Sequence, residues 1–264
     1  MSHISFSELS KWNFCPFARK LAYEDRIRNF QGNIFTAFGL AIHAVCEKYF
    51  ETNKEIDKNF FFGEVLRKEL RSLEKKNIFV DGKKIKDFYQ QGLDILTELD
   101  DSFTAYFGHD FKFVKAEDTL MENITEFTEN DYKFKGFIDL VVQTPDGKCH
   151  VIDYKSCSWG WDMKKRTDPM VTYQLTLYKH YWAQKVGCDP KDVETHFCLL
   201  KRTGKPGDRV ELFRVTSGPR KTKNALNLMK KALYNINRGN HIKNRISCSR
   251  CEFHRTEHLS LIHI

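Results

Sequence analysis

The sequence predicts a mixed α/β domain with an N-terminal helical part, on three observations. Apolar residues recur at helical spacing through roughly the first hundred positions, a block of alternating strand-like runs follows, and a long helix then leads into two further strands. At 264 residues the chain is long enough for one large domain, and no internal repeat, low-complexity tract or Pro/Ser-rich linker divides it. The expected partition is a helical part over about 1–108, a strand-rich part over about 109–238 and a Cys-containing C-terminal segment over 239–258.

Each element has a local reason. Ser7 is placed to cap a helix through Leu9, Trp12 and Phe14, and Pro16 opens a further helical stretch with Leu21. Gly39 to Phe50 carries Leu40, Ile42, Val45, Cys46 and Tyr49 on a helical period, and segments near 58–75 and 85–107 repeat it with Lys and Glu on the open faces. Phe111 to Glu117 alternates as a strand should. Tyr132 to Val142 is a second run, and after the turn Pro145-Asp146-Gly147 a third covers Cys149 to Tyr154. Pro169 precedes a helix over Val171 to Val186, and strands are expected at Glu194 to Lys201 and Val210 to Val215. Ser217 is placed to cap the last long helix, which runs to about Arg238 with Pro219 in its first turn.

Composition narrows the function. Apolar residues make up 41% and charged ones 30%, too apolar for a disordered chain. No stretch approaches the ~18 uninterrupted apolar residues of a membrane helix, and the N-terminus lacks the basic-then-apolar pattern of a secretion signal. A cytoplasmic place, in a bacterial or phage-infected cell, is therefore expected, with no membrane partner. A net charge of +8 suits a polyanionic partner. Eight cysteines without a secretion signal argue for thiols or metal ligands rather than disulfides. Cys46, Cys149, Cys157, Cys188 and Cys198 read as small core residues.

The chemistry concentrates in two consecutive strands that end in acids, Gly136-Phe-Ile-Asp139 and Val151-Ile-Asp153-Tyr-Lys155. Alternation puts Asp153 and Lys155 on one strand face, about 7 Å apart. Buried charges are costly unless paired or bound to metal. A hairpin would set Asp139 beside Asp153, and two close carboxylates repel unless a divalent cation neutralises them.

Gly-x-x-Asp, an apolar strand and then Ile-Asp-Tyr-Lys-Ser resembles the core motif of PD-(D/E)XK nucleases. Further marks resemble the RecB-like branch of that superfamily: Gly39-x-x-x-His43 on an upstream helix, Glu117 on the strand before the hairpin, and Gln174-x-x-x-Tyr178 on the helix after it. The resemblance covers residues 39–178. It implies a restriction-endonuclease-like core, with a central mixed sheet flanked by helices, and a Mg²⁺- or Mn²⁺-dependent deoxyribonuclease, an exonuclease by expectation. Such an enzyme would serve recombination, repair or phage DNA processing. It implies His43, Asp139, Asp153 and the Tyr154 carbonyl as metal ligands, with Glu117, Asp139, Asp153, Lys155, Gln174 and Tyr178 as the catalytic set. The partner would be single-stranded DNA or DNA with free ends, with a helicase or recombination protein as a further partner. Lys164, Lys165 and Arg166, beside Trp159 and Trp161, could grip a single strand by charge and stacking, or form an ordinary solvated loop. The alternative is a non-catalytic DNA-binding or partner-docking member of the same fold.

The chain ends carry a second pattern. Cys248-Ser-Arg-Cys251 is a short C-x-x-C, and Cys15 lies in Asn-Phe-Cys-Pro-Phe. Some RecB-type nucleases, including CRISPR-adaptation nucleases and AddB-type subunits, resemble this layout and bind a [4Fe–4S] cluster with one N-terminal and three C-terminal cysteines. Here no fourth cysteine follows, leaving His254 or His258 as substitutes for the usual all-Cys ligation. The final Leu259-Ser-Leu-Ile-His-Ile264 matches translation of the sequencing-adapter string CTG TCT CTT ATA CAC ATC, so residues 259–264 are expected to be an artefact, the alternative being an apolar tail packed on the domain.

Overall fold

A computed structural model describes residues 2–126 and 131–259, so most of the adapter-like tail lies outside the described residues. The chain begins with β1 (Ser2–Ser5), α1 (Phe6–Phe14), α2 (Pro16–Arg19) and a π-helical turn at Lys20–Glu24. Three longer helices follow, α3 (Ile34–Glu51), α4 (Lys58–Glu74) and α5 (Gly82–Phe107). Then come β2 (Lys112–Asn123), β3 (Tyr132–Gln143), β4 (Cys149–Cys157), α6 (Met163–Thr167) and α7 (Pro169–Val186). The chain closes with β5 (Val193–Lys201), β6 (Val210–Arg214), α8 (Pro219–Asn237) and short 3₁₀ turns. It packs as two compact units, one of Gly32–Leu120 and Phe137–Ser217, the other of Met1–Gln31, Met121–Gly136 and Gly218–Ile264.

In the larger unit the sheet is mixed. Strand β4 runs antiparallel to β3 with Leu140 opposite Ile152, parallel to β5 with Asp153 opposite Phe197, and β5 runs antiparallel to β6. The β3–β4 hairpin closes at Gly147, whose φ of +83° is a conformation that favours glycine. One sheet face, with Leu140, Val142, Ile152, Tyr154, Cys198 and Leu200, packs on Phe38, Ile42 and Val45 of α3, Phe62 and Leu66 of α4, and Ile95, Leu99 and Phe103 of α5. Each such side chain, fully buried, contributes about 1.5–3 kcal/mol. Strands β4 and β5 also contact α7, whose buried Leu175, Leu177, Tyr181 and Trp182 explain why it reads as a long apolar helix. The result is an α/β layering with helices on both sides of a mixed sheet.

Helix starts follow capping chemistry. Asn33 and Thr36 form a reciprocal box at α3, each side chain accepting from the other's backbone N–H at 3.0 and 2.9 Å. Asp57, Asp81 and Asp168 cap α4, α5 and α7. Two expected caps fall elsewhere. Ser5 rather than Ser7 caps α1, accepting from the Glu8 N–H at 3.2 Å, because the preceding residues extend as β1. Gly218 stands at the cap of α8 without a side-chain bond, since the Ser217 hydroxyl is held by Thr176 at 2.9 Å.

The smaller unit builds on β1, which pairs in parallel with the start of β3, Ser2 opposite Tyr132 and Ser5 opposite Lys135. Its four residues are too few for alternation to show, which is why sequence reasoning passed over it. The buried Glu8 and Arg19 pair, with Arg19 Nε donating to Glu8 Oε1 at 2.9 Å. A second, small apolar cluster collects Cys15, Ala18, Leu21, Cys248 and Phe253, with Cys251 against it.

The α4–α5 contact supplies a test of packing. A Cβ on Gly92 would sit 2.2 Å from the Phe62 ring, which is fully buried. Overpacking of a core costs about 1–3 kcal/mol, against up to ~1 kcal/mol that alanine returns in helix propensity. Gly92→Ala is therefore expected to lower the thermal midpoint, whereas Gly82→Ala, with nothing within 4 Å, should leave it unchanged or raise it; equal midpoints for the two would contradict this packing.

Candidate active site

The residues expected at the nuclease site lie in the larger unit and converge on the stretch 153–155 of β4. Continuing the hairpin register one step beyond Leu140 and Ile152 puts Asp139 across from Asp153. Asp153 is only 2% exposed. Its two oxygens are held separately: Lys155 Nζ lies 2.5 Å from Oδ2, and Gln174 Nε2 donates to Oδ1 at 2.8 Å. The same Gln174 nitrogen reaches the Tyr178 hydroxyl at 3.2 Å, so the two residues act from one face of α7, four positions apart. Asp139 Oδ2 accepts from the Tyr154 N–H at 2.7 Å and lies 3.7 Å from His43 Nδ1.

Helix α3 approaches this strand end through Gly39, where a Cβ would come within 3.1 Å of the Ser156 hydroxyl. That close approach brings His43, one turn further on, beside Asp139. One more turn along the same helix face stands Glu47. His43, Glu47 and Asp139 each offer an atom within 4.8 Å of the others, an arrangement able to hold a metal ion. Sequence reasoning did not single out Glu47, although its spacing of four from His43 was the available signal. Glu117 comes to the same place and hydrogen-bonds Glu47. It does so at φ +45°, a left-handed conformation that costs a non-glycine residue energy.

The electrostatics are lopsided. Burial, with the carboxylates of Asp153 and Glu47 alongside, holds Asp139 well above the usual carboxylate range against the opposing Lys155. Burial likewise raises Asp153 although Lys155 opposes it. Glu47 is pushed up to about 8 by burial and by Glu117. Burial works to lower the Lys155 ammonium, but attraction to Asp153 and Asp139 prevails and its pKa is raised. His43 is driven down to about 4 by burial and the Lys155 charge, which leaves its imidazole neutral and able to act as a ligand. Several acids thus share one ammonium, and the unbalanced negative charge suits a divalent cation. His43, Glu47 and Asp139 are near enough to one another to share such a cation, with Asp153 alongside, paired to Lys155.

Around the site, Trp159 is 75% exposed, while Trp161 packs edge-on against Phe197 at 5.1 Å. Arg166 pairs with Glu211 at 2.6 Å and stacks over Phe213. Of the basic stretch, Lys165 lies over the Trp161 ring and Lys164 is exposed. In the smaller unit, Cys15 Sγ accepts from the Asn244 N–H at 3.4 Å, Cys248 Sγ contacts the Asn244 carbonyl at 3.7 Å, and His254 Nδ1 is buried with no hydrogen-bond partner among the described residues. His258 instead faces Glu257 at 3.4 Å. Among the other cysteines, Cys46 and Cys198 are core residues as expected.

A mixed sheet carrying Asp139, Asp153 and Lys155 at one strand end, with α3 and α7 bringing His43 and Gln174 to it, defines a nuclease-type α/β fold. The chain belongs to the PD-(D/E)XK nuclease superfamily, whose family model matches residues 3–256. No curated protein matches it by sequence. Among solved structures, it resembles a candidate exonuclease from Eubacterium rectale at 14% identity and a TM-score of 0.59, covering 97% of this chain and 89% of that one. It also matches SSO0001 at 13% identity and a TM-score of 0.44, covering 96% of this chain and 84% of that one. At such identity the likeness to the first of these speaks for the fold alone.

The raised carboxyl of Glu47 has a measurable consequence. Its folded-state value of about 8 stands above the ordinary 4.5, so the metal-free fold binds this proton more tightly than the unfolded chain does. Stability is accordingly expected to fall as pH rises from about 4.5 towards 8 in the presence of chelator, and Glu47→Gln should flatten that part of the profile in thermal denaturation. A slope unchanged by the substitution would remove the crowded-carboxylate account.

Proposed function

We propose that this chain is a divalent-metal-dependent deoxyribonuclease of the RecB-like type, acting on single strands or free ends as an exonuclease. The observation that carries this reading is the convergence of His43, Glu47 and Asp139 beside an ammonium, Lys155, that a buried Asp153 holds in place. A Mg²⁺ or Mn²⁺ ion held by His43, Glu47 and Asp139, with the Tyr154 carbonyl as a further oxygen, would supply Lewis-acid stabilisation of the charge that develops on a phosphodiester under attack. The protein's own groups do the positioning. Asp153 fixes Lys155, Gln174 fixes Asp153, and Tyr178 anchors Gln174, so the ammonium is held at the mouth of the site, where it can meet a phosphate oxygen. The Tyr154 N–H holds one oxygen of Asp139 in place, which preserves the spacing to His43. Glu117 positions Glu47 through the hydrogen bond between their carboxyl groups. The net charge of +8 favours a nucleic acid over a neutral ester.

Lys155→Ala and Asp153→Ala should each abolish release of labelled nucleotides from end-labelled DNA, with circular dichroism unchanged. His43→Ala should lose more activity with Mn²⁺ than with Mg²⁺, because imidazole suits Mn²⁺ better than the oxygen-preferring Mg²⁺. Near-parental turnover by folded Lys155→Ala protein would defeat the assignment, and so would tight DNA binding with no cleavage by the parent, which would instead favour a binding module.

We also propose that Cys15, Cys248 and Cys251 hold an iron–sulfur cluster. Support comes from their common apolar pocket, the N–H directed at Cys15 Sγ and the partnerless nitrogen of His254 close by in sequence, which is the better fourth ligand because His258 is engaged by Glu257. Protein purified without oxygen should absorb near ~400 nm, and Cys248→Ser should remove the band; a colourless parent with three titratable thiols at these positions would reject the cluster.

A further inference from the structure

The second group of metal-competent side chains lies at the other end of β4. His150 is opposite Glu194 in the β4–β5 register, and His196 follows two residues along β5 on the same sheet face. Both histidines are buried, at 6% and 2% exposure, under the Phe107 ring at the end of α5. His150 Nδ1 and His196 Nε2 face each other at 3.0 Å, and Glu194 Oε2 is 3.9 Å from His150 Nδ1. One atom of each residue lies within 4.8 Å of the other two.

Hydrogen bonding around the group fixes which atoms can be ligands. The outer nitrogens are anchored, His150 Nε2 to the Thr144 hydroxyl at 2.8 Å and His196 Nδ1 to the Tyr106 hydroxyl at 3.1 Å. A hydroxyl has one proton. That of Thr144 points to Asp146 Oδ1 at 2.5 Å, with the Lys148 carbonyl a distant alternative at 3.4 Å. Thr144 can then only accept from His150, so neutral His150 carries its proton on Nε2 and turns the Nδ1 lone pair inward. Glu194 is divided in the same way. Its Oε1 is held by Arg214 at 3.2 Å and Lys148 at 3.6 Å, and its Oε2 faces the histidines. Outer atoms tied to hydroxyls and cations, with inner lone pairs turned together, is the arrangement in which outer-shell partners orient metal ligands.

We propose that His150, His196 and Glu194 form a zinc site that bridges the first residues of β4 and β5, with water in the fourth position. Two imidazoles and a carboxylate suit Zn²⁺, not Mg²⁺, which prefers an all-oxygen shell. Tetrahedral Zn–N bonds of about 2.0–2.1 Å would set the two nitrogens about 3.3 Å apart, so the pair needs to open by only a few tenths of an ångström. Without the ion, the pair is bridged by one proton: His196 Nε2–H donates to His150 Nδ1 while the Tyr106 hydroxyl donates to His196 Nδ1. With it, His196 exchanges tautomer and donates from Nδ1 to Tyr106. The proposal is independent of nuclease activity.

Zinc bound per chain is to be measured by equilibrium dialysis and elemental analysis, in the full chain and in its His196→Gln and Glu194→Gln variants, with folding followed by circular dichroism. A background carrying Cys248→Ser, Cys251→Ser and Asp139→Asn removes the other candidate sites. In that background the parent should retain one zinc, His196→Gln none, and Glu194→Gln should bind at least ~10-fold more weakly. Cobalt should give visible ligand-field bands without thiolate charge transfer, and these should disappear with His196→Gln. No zinc retained by the folded parent background overturns the proposal, as does zinc retained equally by a folded His196→Gln. Should His196→Gln fail to fold, an unchanged affinity in Glu194→Gln overturns it alone.

Discussion

The candidate site depends on one buried charge. Asp153 sits in a strand whose neighbours on either side are fully buried, and a carboxylate there costs several kcal/mol unless its charge is matched and both oxygens are bonded. Lys155 supplies the charge and Gln174 the remaining bond, which in turn dictates where α7 lies against β4. Tyr178 completes the chain one helical turn on, because Gln174 reaches Asp153 from a fixed direction. The ordering of α7 and the aim of Lys155 are thus two results of satisfying one carboxylate.

What Lys155 does not balance makes the site able to take a cation. Asp139, Glu47 and Glu117 crowd further acidic groups on the α3 side, and Glu117 hydrogen-bonds Glu47 from a left-handed backbone position. A fold concerned with stability alone would gain by losing that arrangement. Repulsion of this kind is tolerated where a cation is to be held, and here imidazole, carboxylate and carboxylate stand within reach of one ion.

Much of this was legible in the sequence, and the exceptions have physical reasons. The helical period of Leu40, Ile42, Val45 and Tyr49 and the turn before Cys149 were enough to place α3 and the β3–β4 hairpin, because their burial follows alternation and amphipathicity directly. The motif residues on β4 and α7 were findable for the same reason: fixed spacing on a regular element means a fixed face. Glu47 escaped since an acid on a largely apolar helix looks like a solvated position until the tertiary fold covers it. Ser217 was misread as a cap because local chemistry favours it there, and only the fold supplies Thr176 as its competing partner. His150 and His196 lie 46 residues apart in sequence, and nothing local relates them.

Register joins the two groups on β4. Its odd positions Asp153 and Lys155 take the face towards α7, whereas even positions His150, Ile152 and Tyr154 take the face towards α3 and α5. A slip of one residue against β5 would exchange every one of these sides and put a carboxylate into the aromatic layer. The apolar residues Ile152 and Tyr154 resist such a slip only through burial. The polar ends resist it through geometry, since Asp153 finds Gln174, and His150 finds His196, in one alignment alone. The strand that carries the candidate reaction centre is therefore held by directional bonds at its first residues, through His150, and at its middle, through Asp153.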